Sequence, residues 1–266
     1  MMKTKAISIS KFEANITNED SALCRDNMIA VSDGAGGGGV YAEFWSKYLV
    51  ENLPDEAIAD FETLDNWIDG IWEQFYNEFE IKAKAIGGMF LNKFYDEGSF
   101  ATLASAWKTL DDEVKWITYG DSVVFHYNKA TGELEYSIPS LTEFNQAPYL
   151  INYIAPIKEE GFKSGRFAID DNSVVFVTTD ALAHYIIMMY MISRKEIFND
   201  ALDEALKCGT KNSNYIKMAM SKSKVDFCED VIRRLSLNAH NFRLHLEKLY
   251  KNGLIALDDY SVAIMY

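Results

Sequence analysis

Five aspartates stand where a strand-like run meets a turn: Asp20 in TNEDS, Asp33 in SDGAGG, Asp121 in YGDSV, Asp180 in TTDAL and Asp258 in LDDYSV. A carboxylate at the end of a buried strand is held rigidly yet still reaches solvent. Several brought together repel one another unless cations neutralise them. Hard oxygen donors of this kind select Mg²⁺ or Mn²⁺, with water completing the coordination. A softer metal has no comparable offer, because Cys24, Cys208 and Cys228 lack ligand spacing and no His or Cys cluster occurs.

The stretch VSDGAGGGG, residues 31–39, admits several readings. Gly34, Gly36 and Gly39 satisfy G-x-G-x-x-G between a strand and a helix, the setting of a dinucleotide fingerprint. They also form the first half of a P-loop, but Val40 and Tyr41 stand where that motif needs Lys and Ser or Thr. Against the dinucleotide, Asp33 abuts the first glycine and would set a carboxylate against the pyrophosphate. A plain turn of small residues is the third reading. A metal loop carried by Asp33 is the fourth.

The elements that must position these residues follow from periodicity. DNMIAVSDG reads as a buried strand entering a turn, and Tyr41, Phe44, Trp45, Tyr48 and Leu49 recur at helical spacing. Phe61, Leu64, Ile68, Ile71, Trp72, Phe75 and Phe79 form the apolar stripe of a second helix. From residue 99 the period changes. SFATLASAW, EVKWITYG, SVVFHYN and ELEYSI are short, β-branched and aromatic, and their spacing predicts an antiparallel meander. SVVFVTTD is a further strand, mostly helical sequence runs from there to about Tyr250, and DDYSVAIMY closes the chain as a strand. Without regular βαβ alternation, the class expected is α+β rather than a doubly wound parallel sheet.

With 266 residues, 48% of them hydrophobic, the chain can bury a large core, and one domain over 1–266 is expected. Forty acidic residues against 26 basic ones give a formal charge of -14, which repels nucleic acid and anionic membrane. Three sparse cysteines, no apolar leader at the start and no run of about 18 apolar residues point to a cytoplasmic protein.

Taken in order, the motifs are N-E-D at 18–20, D-G-x-G-G at 33–37, G-S-x-A at 98–101, G-D-S at 120–122, T-T-D at 178–180 and D-D-x-S-V at 258–262. This series resembles the PPM (PP2C-like) family of metal-dependent protein phosphatases, in its divergent bacterial-type branch, over nearly the whole chain. The resemblance implies a four-layer α-β-β-α sandwich, two mainly antiparallel sheets flanked by helices. It implies hydrolysis of phosphoserine and phosphothreonine in a phosphorylated protein or peptide, by water activated at a site of two Mg²⁺ or Mn²⁺ ions. Asp33 resembles the carboxylate bridging the ions, and Gly34 the residue lending its backbone carbonyl. Asp180 and Asp258 resemble ligands of the second ion, Asp20 and Glu19 the acidic pair that supports the site, and Asp121 the ligand of a further, weaker ion. A monomer is expected.

The chain departs from the family pattern at several places. Asn15 stands where the family carries a phosphate-gripping arginine, leaving Lys11 or Arg25 to substitute. Val123 follows G-D-S and Ala181 follows T-T-D, in place of arginine and glycine. Residues 137–172 lack the family's landmarks, so a reduced or altered flap is expected. These departures raise a second reading, a weak or inactive pseudophosphatase that works as a binding module. His126 and His184 are the histidines placed to protonate a leaving group, with a structural role as the plainer expectation.

Overall fold

The structure is a computed structural model, and it describes residues 3–13, 16–221 and 224–266. Ten strands are assigned among them: β1 Thr4–Ile9, β2 Ser21–Cys24, β3 Met28–Ser32, β4 Leu103–Lys108, β5 Glu113–Tyr119, β6 Val123–Asn128, β7 Glu133–Tyr136, β8 Phe162–Ala168, β9 Ser173–Thr178 and β10 Tyr260–Met265. The helices are α1 Ala42–Glu51, α2 Phe61–Ile86, α3 Gly88–Asp96, α4 Asp180–Ser193, α5 Lys195–Lys207, α6 Lys211–Met220, α7 Arg233–Leu235 and α8 Ala239–Lys251.

Two five-stranded sheets form, in the orders β1-β10-β9-β6-β7 and β2-β3-β4-β5-β8. Every strand pair in them is antiparallel. That removes the dinucleotide reading of the glycine loop, which needs parallel strands joined by crossovers. Ile29, Val31, Ala104, Ala106, Val175, Val177 and Ala263 pack between the sheets. The opposite faces of the same strands carry larger side chains. Phe125, Phe176, Tyr260 and Val262 meet α4–α8, whereas Met28, Leu103 and Trp107 meet α1–α3. Small residues inside and bulky ones outside, at period two, let the sheets approach closely and still anchor helices. The result is the α-β-β-α sandwich, and it explains why SVVFVT is apolar without alternation: both its faces are buried.

The second helix runs from Phe61 to Ile86, capped by Asp60, whose carboxylate accepts from the Thr63 amide. Leu64, Ile68, Phe75 and Phe79 are its buried stripe, while Phe61, Ile71 and Trp72 cover the edge of the same core. The meander forms only in halves. β4 pairs with β5 and β6 with β7, but the chain changes sheets at Gly120–Ser122, between β5 and β6. That change of sheet places Asp121 at the junction of the two layers. No helix among the described residues is long and apolar enough to cross a membrane.

Candidate metal centre

Strand register brings the acids to one end of the sandwich. Ser21 lies opposite Ser32, so Asp20, entering β2, faces Asp33, leaving β3. Thr178 lies opposite both Val262 and Val123, which draws Asp180, the 258–259 pair and Asp121 together in the other sheet. Hydroxyls join the two groups. Thr179 Oγ1 donates to Asp20 Oδ2 at 2.8 Å and accepts from the Ser261 amide at 3.0 Å. Thr102 Oγ1 accepts from the Asp33 amide at 3.2 Å and shares a 2.7 Å hydrogen bond with Ser122 of the G-D-S turn. Thr102, Ser122 and Thr179 are all buried. None of these contacts is visible from spacing in the chain.

The carboxylates feel one another strongly. Burial pushes Asp33 and Asp20 well above the usual carboxylate range, and neighbouring aspartates, Asp180 among them for both, add to it. The Asp20 shift is opposed by its hydrogen bond from Thr179. Burial, then Asp121 and Asp258, push Asp180 up to about 8 even though part of its surface stays open to solvent, with the Ala181 amide and the adjacent Asp33 carboxyl opposing the rise. Asp121 is pushed up to about 6, chiefly by burial. Asp258 is raised by burial against the pull of Lys11 and Lys211. Among the described residues no Lys or Arg pairs with any of the five.

Nor do three of these side chains close to the arrangement that by itself grips an ion, among the described residues. What the fold assembles is a half-buried, mutually repelling set of hard oxygen donors with no ion-paired cation among the described residues. That donor chemistry fits Mg²⁺ or Mn²⁺.

Glu19 approaches from the same side. Burial raises its pKa, the Lys11 ammonium opposes the rise, and the Gly36 amide donates to its carboxylate. Sequence reading passed over Asp259, the second acid of the D-D pair. Only 4% exposed, it accepts from the Lys11 and Glu19 amides, each at 2.8 Å. Asp259 therefore fastens the segment carrying Lys11 and the N-E-D motif to the start of β10. The doubled aspartate of DDYSV was the available signal, one acid facing the cluster and the other facing the backbone.

No protein-family model matches the chain, and no curated protein matches it in sequence. Solved structures do match. The catalytic domain of the serine/threonine phosphatase PstP, determined with two manganese ions, aligns at TM-score 0.54 and 13% identity, over 99% of this chain and 97% of that one. The serine/threonine phosphatase Stp1 from Staphylococcus aureus aligns at 0.55 and 12% identity, over 100% of this chain and 94% of that one. PppA, a key regulatory component of T6SS in Pseudomonas aeruginosa, aligns at 0.51 and 13% identity, over 99% and 96%.

The chain has the PP2C fold. Within that PP2C frame, Arg25 is already committed: its guanidinium binds Asp55 and the carbonyls of Leu53 and Glu51. Lys11 faces Glu19 and Asp258 instead. Asn15 lies outside the described residues. His126 is spent structurally, with Glu135 at one ring nitrogen and Ser173 at the other. His184 is buried between Phe144 and Tyr215, and burial drives its pKa down to about 4, so it is neutral near pH 7.

Two glycines of the loop are required for different reasons. A Cβ on Gly34 would lie 2.5 Å from the Glu19 carbonyl oxygen and 2.7 Å from that of Ala42, both backbone atoms. A Cβ on Gly36 would lie 2.0 Å from Glu19 Oε1, the end of a side chain that can swing away. Gly34→Ala is therefore expected to destabilise the fold by about 1–3 kcal/mol. Gly36→Ala should leave the melting temperature nearly unchanged and, on the metal-site reading proposed below, weaken Mn²⁺ binding by roughly 10–100-fold, since it displaces the Glu19 carboxylate. Calorimetric melting and Mn²⁺ titration of both variants check this; equal stability losses would refute it.

Proposed function

We propose that the chain is a divalent-metal-dependent protein phosphatase acting on phosphoserine and phosphothreonine. The observation that supports it most is the unpaired set Asp20, Asp33, Asp121, Asp180 and Asp258 gathered where both sheets end. In this reading Asp33, the Gly34 carbonyl, Asp180 and Asp258 hold two ions, Asp20 and Glu19 steady them, and Asp121 serves a weaker third. Bound Mg²⁺ or Mn²⁺ would supply a water of lowered pKa and a counter-charge for phosphoryl oxygens.

The chain's own part is to bind and orient. Thr179 holds the Asp20 carboxylate, Thr102 holds the backbone amide of Asp33, and Asp259 fixes the segment bearing Glu19. Lys11, which faces Glu19 and Asp258, is the cation offered to a substrate phosphate. The whole chain works as one domain and as a monomer. A reducing cytoplasm suits it, because Cys24, Cys208 and Cys228 are all free thiols.

The test is hydrolysis of p-nitrophenyl phosphate and a phosphothreonine peptide with and without Mn²⁺, alongside calorimetric Mn²⁺ titration. Turnover that needs Mn²⁺ and is abolished by EDTA is expected, with a higher KM in Lys11→Ala. Asn15 and Val123 at motif positions favour the second reading, a pseudophosphatase acting as a binding module. Mn²⁺ binding without turnover on either substrate would establish that reading in place of the first.

A further inference from the structure

The acid cluster is not the end of the site's chemistry along the surface. A cavity of about 580 Å³ starts at Gly38 of the glycine loop and Phe100, and runs along a ridge formed by residues 152–157. On the ridge's other side a second cavity of about 280 Å³ opens against α2. Asp96 and Glu97, both exposed, line the first, while Asp65 and Asp69 line the second. Lys158 is the one cation among the residues lining these two cavities. The ridge itself is apolar at its tip, with Ile154 and the neighbouring Tyr149 each 42% exposed.

This ridge is mounted rigidly on the candidate metal centre. Gly34 bridges to Ala101, and Ala101 bridges to Ile151, so three segments lie side by side from the loop after Asp33 to the ridge. Asn152, only 7% exposed, donates to the Glu97 carbonyl at 2.7 Å and accepts from the Ile154 amide at 2.6 Å. A chain entering at the acid cluster would therefore continue over Gly38 into a groove of fixed shape.

We infer that this groove docks the segment of a phosphorylated protein flanking its phosphoresidue, and that it selects segments carrying Arg or Lys beside an aliphatic residue. The inference rests on the phosphatase reading above. Four carboxylates around one apolar ridge give a basic, aliphatic flank both its counter-charge and its apolar contact, and repel an acidic flank. The Glu97–Lys93 pair, at 3.7 Å and exposed, does not cancel that field, because such pairs are weak and rearrange readily.

The experiment compares two phosphothreonine peptides, one flanked by Arg and Leu and one by Glu and Ser, with p-nitrophenyl phosphate as the flankless control. Wild-type kcat/KM should favour the Arg-Leu peptide by roughly tenfold or more. Asp96→Lys with Glu97→Lys, and separately Ile154→Ser, should erase most of that preference while leaving p-nitrophenyl phosphate hydrolysis and the melting temperature unchanged. No preference in the wild type, or a parallel loss on p-nitrophenyl phosphate, overturns the groove. If the wild type fails on p-nitrophenyl phosphate in Mn²⁺, the catalytic reading falls separately. Fluorescence polarisation with the unphosphorylated Arg-Leu peptide then decides: binding lost in the variants upholds the groove, and no binding to the wild type overturns it.

Discussion

Asp33→Asn protein is expected to hydrolyse p-nitrophenyl phosphate at least about a hundredfold more slowly than wild type in Mn²⁺, and to melt at a higher temperature once metal is stripped. The first half follows from the proposed role. A carboxylate shared by two cations contributes several kcal/mol of charge stabilisation, and each 1.36 kcal/mol is tenfold in rate. The second half follows from the position of Asp33. It is largely shielded from water and exposed to the fields of four other aspartates, Asp20, Asp180, Asp121 and Asp258. Asn keeps the shape and removes the charge, so the metal-free fold loses a source of repulsion, worth about 2–4 °C per kcal/mol in a chain near this size. The two signs are opposite, which separates this site from ordinary packing. A variant that keeps full activity, or one that melts lower as a damaged core would, sinks the proposal.

The metal-free protein should also be more stable at about pH 5.5 than at about pH 8, and Mn²⁺ should reverse the order. The sign comes from Asp121, pushed up to about 6, and Asp180, pushed up to about 8. Their pKa values in the unfolded chain are near 3.9, so the folded state binds protons more tightly than the unfolded one. Stability from these groups is fully present below about pH 4 and is lost as pH rises through the folded values. Acids shifted the other way, Asp60, Glu80 and Asp170, titrate below the ordinary carboxylate range and are silent in this window. His184, driven down to about 4, opposes the trend only up to about pH 6.5, against several raised aspartates.

Adding Mn²⁺ at a hundred times its dissociation constant contributes about 2.7 kcal/mol, and more at pH 8 than at pH 5.5 because protons compete for the same oxygens. Scanning calorimetry in EDTA and in Mn²⁺ at the two pH values reads the effect directly. Asp33→Asn should flatten the pH slope in EDTA. A metal-free protein that gains stability on going to pH 8 would contradict the cluster.

Much of this architecture can be read along the chain, and particular elements show where reading stops. β3 and β9 are apolar runs that end in aspartate-bearing turns, β6 and β10 apolar runs that begin after them, and α2 carries a long helical stripe, so both kinds of signal are local. β1, β2 and β8 give weak signals. β8 is an edge strand reading FKSGRFA and half open to solvent, so little apolar patterning marks it. α3 follows α2 after a single glycine, Gly87, whose positive φ of 72° breaks what otherwise reads as one helix.

The aspartates behaved similarly. Their residue type, their turn context and their order were all local properties, and these carried the likeness to the PPM phosphatases. Their mutual distances were not local: Thr179, 159 residues from Asp20 in the chain, reaches its carboxylate only because the two sheets stack. The same holds for the roles of Thr102, Ser122 and Asp259, and for the groove beside Gly38. Periodicity and turn chemistry act over a few residues and are written in the chain. Register between strands is settled by packing both faces of both sheets at once, and only that decides which charges must share one place.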